Sequence, residues 1–263
     1  MLAVAASANT CPAEDFGSAL LEGVAGAYTA ALDAPGGVWS NPALPALADQ
    51  HGAAELSYRR LFNLEEFDDV TAAARLNPGH HLAIGGGMSR FGQSELYVET
   101  RGVISAARTI WRQWALGAGL QVERTEFGQA VSRFAGTYLN LGMAARPRSD
   151  LAVGLAVRHL TINRLYGDDD RAPTYEISAA WTAPPDLTLA GIWSKHSGDD
   201  DQWGIGQRLR LVSGIEFLSG LRLNPTRYSL GGRISRGGGS INYVYLSHAD
   251  LGGTHTIGMG WQW

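Results

Sequence analysis

The last ten residues, Thr254-His255-Thr256-Ile257-Gly258-Met259-Gly260-Trp261-Gln262-Trp263, alternate bulky with small or polar side chains up to a terminal aromatic. In a strand, His255, Ile257, Met259, Trp261 and Trp263 share one face, and Thr256, Gly258, Gly260 and Gln262 share the other. Few soluble domains finish by exposing two tryptophans. A strand whose outer face meets lipid and whose end sits at the membrane–water interface accommodates both. This ending predicts a chain that crosses a membrane with strands.

The same two-residue period recurs upstream. From about Ala53 the chain breaks into roughly ten-residue segments separated by turn signals, about fourteen in all. Trp114, Leu116, Ala118, Leu120 and Val122 form one face of the clearest segment, against Ala115, Gly117, Gly119, Gln121, Glu123 and Thr125. Leu82, Ile84 and Met88 oppose Ala83, Gly85, Gly87 and Ser89; Tyr175, Ile177 and Trp181 oppose Glu176, Ser178 and Ala180. In residues 151–164 the apolar phase shifts near His159, which marks a bulge or a strand leaving the membrane.

The turns sort into two sets when strands are counted from Ala53. One contains Asn77-Pro78-Gly79, Pro147-Arg148-Ser149-Asp150, Ala183-Pro184-Pro185-Asp186 and Gly237-Gly238-Gly239. The other contains Glu65-Glu66, the stretch from Tyr166 through Asp168-Asp169-Asp170 to Arg171, Gly198-Asp199-Asp200-Asp201 and Asn224-Pro225-Thr226. Short periplasmic turns and longer extracellular loops produce such sorting in an outer-membrane barrel, with both termini periplasmic. A soluble β-sandwich gives no reason for it.

The polar face carries Glu99, Arg101, Gln121, Glu123, Glu176, Arg208, Arg210, Glu216, Arg222 and Arg233, mostly in mid-strand. An Arg or Lys facing lipid at mid-depth costs about 2–4 kcal/mol. This face is therefore expected to line the lumen as a ladder of charges that pair or meet water. A soluble barrel turned polar-side-out would have to bury Trp114, Trp181, Trp193 and Trp261.

Composition agrees. Hydrophobic residues make up 45% of 263 residues, yet no apolar run approaches the length of a membrane-spanning helix. The 34 glycines suit turns and close backbone approach, and inward glycines leave room for a plug. A net charge of -4 without a basic run argues against a nucleic-acid partner. A single cysteine, Cys11, excludes an intrachain disulfide and a multi-cysteine zinc site. Residues 1–8 read as the tail of an export signal, with Ala6-Ser7-Ala8 as a cleavage site before Asn9.

Residues 12–50 do not alternate. Residues 18–33 read as helix or compact coil with Leu20, Val24, Tyr28 and Leu32 at four-residue spacing. The elements Gly26-Ala27-Tyr28-Thr29-Ala30, Asp33-Ala34-Pro35 and Trp39-Ser40-Asn41-Pro42-Ala43-Leu44 resemble the N-terminal hatch of the FadL-type outer-membrane family. That family includes long-chain fatty-acid transporters and the PorV/PorQ-type proteins associated with type IX secretion. Ser213-Gly214-Ile215-Glu216, Leu223-Asn224-Pro225, Ile241-Asn242-Tyr243-Val244-Tyr245 and the stretch from His248 to His255 are similar to the PorV/PorQ branch. The resemblance implies an all-β fold: a transmembrane antiparallel β-barrel of about 14 strands with an N-terminal helical or coil hatch inside the lumen. The expected division is residues 1–8 as export signal, 9–50 as hatch and 51–263 as barrel.

On the same resemblance, Tyr28, Asp33, Trp39, Asn41, Pro42 and Ala43 are the hatch and gating candidates. The plainer reading of Asn41-Pro42-Ala43 is a rigid turn setting the approach to strand one. Neither aspartate triplet has the spacing of an EF-hand calcium loop. No G-x-S-x-G or H-E-x-x-H motif stands in the chain, and its seven histidines are scattered, so neither enzyme nor cofactor is expected. Besides outer-membrane lipid, two partners stay open. One is a small hydrophobic compound bound or passed by a hatch-gated barrel. The other is a secretion-system protein served by a closed accessory barrel. The chain is short for either branch, and no long apolar insertion stands in the outer-loop set.

Overall fold

Strands with one face committed to lipid and one to a lumen leave a free edge nowhere to go, and this chain removes the edge by closure. The computed structural model describes residues 18–27, 34–79, 81–93, 97–111, 113–128, 133–166, 172–184, 186–197, 200–248 and 252–263. β1 (Gly52–Arg60), β2 (Asp68–Gly79), β3 (Leu82–Gln93), β4 (Tyr97–Trp111) and β5 (Trp114–Phe127) lead to β6 (Arg133–Arg148) and β7 (Leu151–Tyr166). Then come β8 (Thr174–Ala183), β9 (Leu187–His196), β10 (Gln202–Val212) and β11 (Ile215–Leu223), followed by β12 (Arg227–Arg236), β13 (Gly239–His248) and β14 (Gly252–Gln262). Each strand pairs with its chain neighbours, and β1 pairs antiparallel with β14 to close the barrel. Gly52 and Trp263 extend that seam by exchanging N–H···O bonds of 3.1 and 3.0 Å.

The start of β1 and the end of β14 therefore meet at one end, termed the terminal end; the opposite one is the far end. The two sets of turns expected from the sequence fall at these two ends. Residues 167–171, 185 and 198–199, parts of three of those turns, lie outside the described residues.

The outward surface is apolar all round. Met88, Ile104, Ile205 and Ile234 on β3, β4, β10 and β12 are each more than 60% exposed, which no soluble barrel sustains around its whole circumference. Aromatic side chains flank this belt. Trp111, Trp181, Trp261 and Trp263 are exposed near the terminal end, and Tyr58, Tyr175, Trp203 and Tyr228 near the far end. Such girdles mark the two membrane–water interfaces. His255 joins the outer face as expected, 2.8 Å from the Tyr243 hydroxyl. No helix among the described residues is long and apolar enough to cross a membrane.

The phase shift near His159 is a bulge. Leu139 pairs with Leu160 and Leu141 with Val157, so Arg158 and His159 both oppose Asn140. His159 takes φ 59°, and its N–H donates to the Asn140 side chain at 3.0 Å.

Inside lie residues 18–27 and 34–47, described parts of the N-terminal segment. Helix α1 (Ala19–Gly23) is only five residues long, and turns at Pro35–Trp39 and Leu44–Leu47 follow. The helical pattern over residues 18–33 is thus cut short. Ala25 (φ 52°) and Gly26 (φ 76°) turn left-handed, and the Gly26 N–H closes on the Leu21 carbonyl at 2.8 Å. Tyr28 and Asp33 lie outside the described residues.

Small wall residues make the room. Leu20, Leu21, Val24, Ala43 and Leu44 share one buried cluster with inward alanines of five adjacent strands, Ala115, Ala144, Ala152, Ala180 and Ala190. A Cβ at Gly206 would stand 2.5 Å from the Val24 carbonyl oxygen, and one at Gly220 2.6 Å from the Val24 carbonyl carbon. Gly117 and Gly142 receive Pro42 and Asn41 so closely that a methyl group at either would collide.

This seating predicts that Gly117→Ala or Gly142→Ala destabilises the protein by about 1–3 kcal/mol through overpacking and exposes residues 18–50 to protease. Gly102→Ala, on the lipid face with open space at its Cβ position, should leave both unchanged. Urea unfolding in detergent and limited proteolysis check this; equal behaviour of all three variants would refute the seating.

Candidate functional site

The period of β1 points Glu55, Ser57 and Arg59 into the lumen, beneath α1. Arg59 holds two carboxylates at once, Glu22 of α1 at 2.9 Å and Asp69 of β2 at 2.6 Å, all three almost fully buried. Thr256 on β14 donates its hydroxyl to the other Glu22 oxygen. Glu55 accepts from Ser18 at 2.8 Å, and Ser229 on β12 donates to the Gly23 carbonyl at 3.0 Å. One flank of α1 is therefore clamped by polar contacts to β1, β12 and β14. Its apolar flank, with Leu21 and Val24, shares the buried cluster of Leu218 and Val244.

The second arm is held on the opposite wall. The Asn41 amide donates to the carbonyls of Met143 (3.1 Å) and Leu155 (3.2 Å), which face each other on β6 and β7. Its oxygen accepts from the Ala43 N–H at 3.0 Å. Asn41-Pro42-Ala43 is thus a turn, as its composition suggests. It does not set the approach to β1, however: it is pinned to β5, β6 and β7, and the turn Leu44–Leu47 intervenes before β1 begins. Trp39 lies buried over Gly87 of β3. Arg158, one of the bulge residues, donates to the Trp39 carbonyl at 3.5 Å and to Glu176 at 2.7 Å. Nearer the terminal end, Asn77 donates to the Pro45 and Ala48 carbonyls, both at 3.1 Å.

The expected charge ladder resolves into separate clusters. Glu99 and Arg101 are buried 3.4 Å apart on β4, with Tyr97 donating to Glu99 at 2.9 Å and Arg101 to Ser89 at 3.2 Å. Glu123 accepts from Gln121 at 2.7 Å and stands 4.0 Å from His159. Glu176 pairs with Arg158 as above. Glu216 and Arg233 approach to 3.8 Å in the terminal half, Arg222 bonds Gln202 near the far end, and Arg208 is half-buried on β10. Arg210 departs from the ladder. It is exposed at the terminal-end rim, 3.7 Å from Asp186, because β10 runs out of the membrane there.

Sequence reading missed Arg59, Asp69, Arg158 and Glu22, all of which take part in buried ion pairs. Period-two alternation on β1 would have found Arg59. Glu22 gives no such signal, since nothing in a short non-alternating segment says which side meets the wall.

Buried charge concentrates in the far half of the lumen, while the terminal half is walled mainly by alanine. A cavity of about 630 Å³ opens at the terminal end between residues 46–51 and the ends of β2, β3 and β6, and His81 lines it. His80 and the aspartates 168–170 and 199 lie outside the described residues. Asp201 is held at the far end by Lys195 at 2.8 Å, and the hydrogen bonds from Lys195 and Trp193 keep its carboxyl below the usual range. No group of His, Cys, Asp or Glu among the described residues is arranged to hold a metal ion.

Removing the cation that serves two buried carboxylates leaves both uncompensated, so Arg59→Met is expected to cost about 3–5 kcal/mol. Arg210→Gln, at an exposed pair, should cost less than about 1 kcal/mol. Parallel urea titrations of the folded barrel decide this, and near-equal losses would remove Arg59 from its central place.

No protein-family model matches this chain, and no curated protein does. Its likeness is to solved structures. The Ralstonia pickettii toluene transporter TbuX aligns over 94% of this chain and 98% of its own, with 13% identity and a TM-score of 0.70. The P. putida toluene transporter TodX aligns over 94% and 98%, with 9% identity and a TM-score of 0.72. A Pseudomonas aeruginosa FadL homologue aligns over 93% and 95%, with 13% identity and a TM-score of 0.66. The chain shares the closed-barrel fold of the FadL-type transport proteins.

Proposed function

We propose that this protein is an outer-membrane barrel that binds or passes a small hydrophobic compound, gated by its own N-terminal segment. The observation that carries the reading is a wide barrel whose lumen is occupied by a segment held through separable contacts. A barrel of this strand number left empty would be a water-filled pore. The occupying segment is fastened at the Arg59–Glu22 clamp on one wall and by the Asn41 amide on the other. Releasing either arm opens a path along the wall without unfolding the barrel. The toluene transporters and the FadL homologue with this fold support the ligand class.

In this reading residues 1–8 are the remnant of an export signal, 9–50 the hatch and 51–263 the barrel. Tyr28, Asp33, Trp39, Asn41, Pro42 and Ala43 act as gating residues. Both termini face the periplasm, and the compound enters from the far end, where the longer loops stand. The secretion-accessory role, with a stoichiometric protein partner on a closed barrel, is the competing outcome.

Two measurements test it. Protein purified from outer membranes in mild detergent should release an apolar compound on solvent extraction, and Asn41→Ala should retain less of it. That variant removes three hydrogen bonds, two to the wall and one from the Ala43 N–H, worth about 1 kcal/mol each. In planar bilayers the intact chain should conduct ions poorly, and deletion of residues 18–47 should open a steady pore. An empty barrel that co-purifies with a stoichiometric protein would sink the transport reading.

A further inference from the structure

Two polar side chains stand in the middle of the lipid-facing belt. Gln207 is the central residue of β10 (Gln202–Val212) and Ser219 of β11 (Ile215–Leu223), and the two lie opposite each other in the register. Alternation turns both outward. Their strand neighbours two residues away, Ile205 and Leu209 on β10 and Phe217 and Leu221 on β11, share the outer face, as do Leu189 and Leu230 on the flanking strands. Mid-strand outward positions elsewhere on the wall, such as Met88, Ile104 and Leu120, are bulky and apolar.

Among the described residues, no hydrogen bond serves the Gln207 amide or the Ser219 hydroxyl. Neither can be satisfied from the lumen, because the adjoining inward positions, Gly206 and Gly220, hold Val24 at contact distance. Hydrocarbon offers a donor or acceptor nothing, and headgroups and water lie about 15 Å away, half the thickness of a bilayer core. The cost of an amide at this depth is removed only by a polar group that another macromolecule brings to the same depth. The outer surface around the pair is also low. Gly191 on β9 and Gly232 on β12 face outward, and a Cβ at either would meet nothing nearer than 3.7 Å. Small residues of this kind let two membrane-embedded backbones approach closely.

We propose that the outer face of β9–β12 is an interface with a second copy of this chain, closed by the Gln207 amide of each protomer on that of the other. A carboxamide carries both donors and an acceptor, so it is its own complement. The membrane fixes depth and orientation, so a twofold axis relating two copies must run along its normal, and each copy then presents Gln207 at the same height. Reciprocal N–H···O bonds about that axis satisfy both amides, and Ser219 beside each supplies a further donor. The two lumens stay parallel and separate, so the inference does not depend on what either carries.

The test is sedimentation equilibrium of the full chain in density-matched detergent micelles. The wild type should follow a monomer–dimer equilibrium. Gln207→Leu, which replaces the amide by an apolar side chain of similar bulk, should raise the dissociation constant about tenfold, the size of two hydrogen bonds within a membrane. Ile104→Leu, on the opposite wall, should leave it unchanged. Heat-modifiable mobility of each variant verifies an intact barrel. A strictly monomeric wild type overturns the proposal. A Gln207→Leu chain that dimerises as tightly as the wild type overturns it too, since the contact then lies elsewhere on the wall.

Discussion

Every backbone N–H and C=O that lies in lipid must find a partner within the protein, and the rest of this structure follows from that requirement. For strands the solution is closure, achieved here when β14 pairs with β1 and Trp263 with Gly52. Closure commits every second residue to the outside and the remainder to a lumen. It also makes that lumen too wide for wall side chains alone to fill. The N-terminal segment, the glycines and alanines that admit it and the buried charges that hold it are consequences of a closed wall of this circumference.

The lumen's two halves answer different physical demands. Where the wall is alanine, Leu20, Leu21, Val24, Ala43 and Leu44 pack with it into one buried apolar cluster. Where it is charged, each ion is desolvated and must be paired, so Arg59 sits between two carboxylates and Arg158 reaches both Glu176 and the Trp39 carbonyl. Such contacts add little net stability over apolar packing, but they are geometrically specific. They decide where the segment sits, and removing one partner strands the other.

The barrel was legible because its signal is local and repeated. The faces of the segments at 113–125 and 254–263, the sorting of turns and the bulge at His159 all follow from a period of two counted along one strand, and the structure places them accordingly. The lumen charges were legible as inward-facing but not as pairs. Period tells the face of Glu123, yet its neighbours Gln121, Asn140 and His159 are brought together by the register of β5, β6 and β7. Arg210 shows the limit of the same reasoning, since facing inward at a strand's end means facing the rim.

What the sequence determined by itself was the wall: alternation, glycine content and turn chemistry specify a closed antiparallel sheet whose apolar side faces lipid. What only the tertiary structure decided was the contents of that wall. Asn41 bonds across more than a hundred residues to Met143 and Leu155, and Glu22 meets Arg59 and Thr256. Alternation is a property of neighbours along the chain, whereas these contacts depend on barrel circumference, strand register and the path of a non-repeating segment, which no local pattern records.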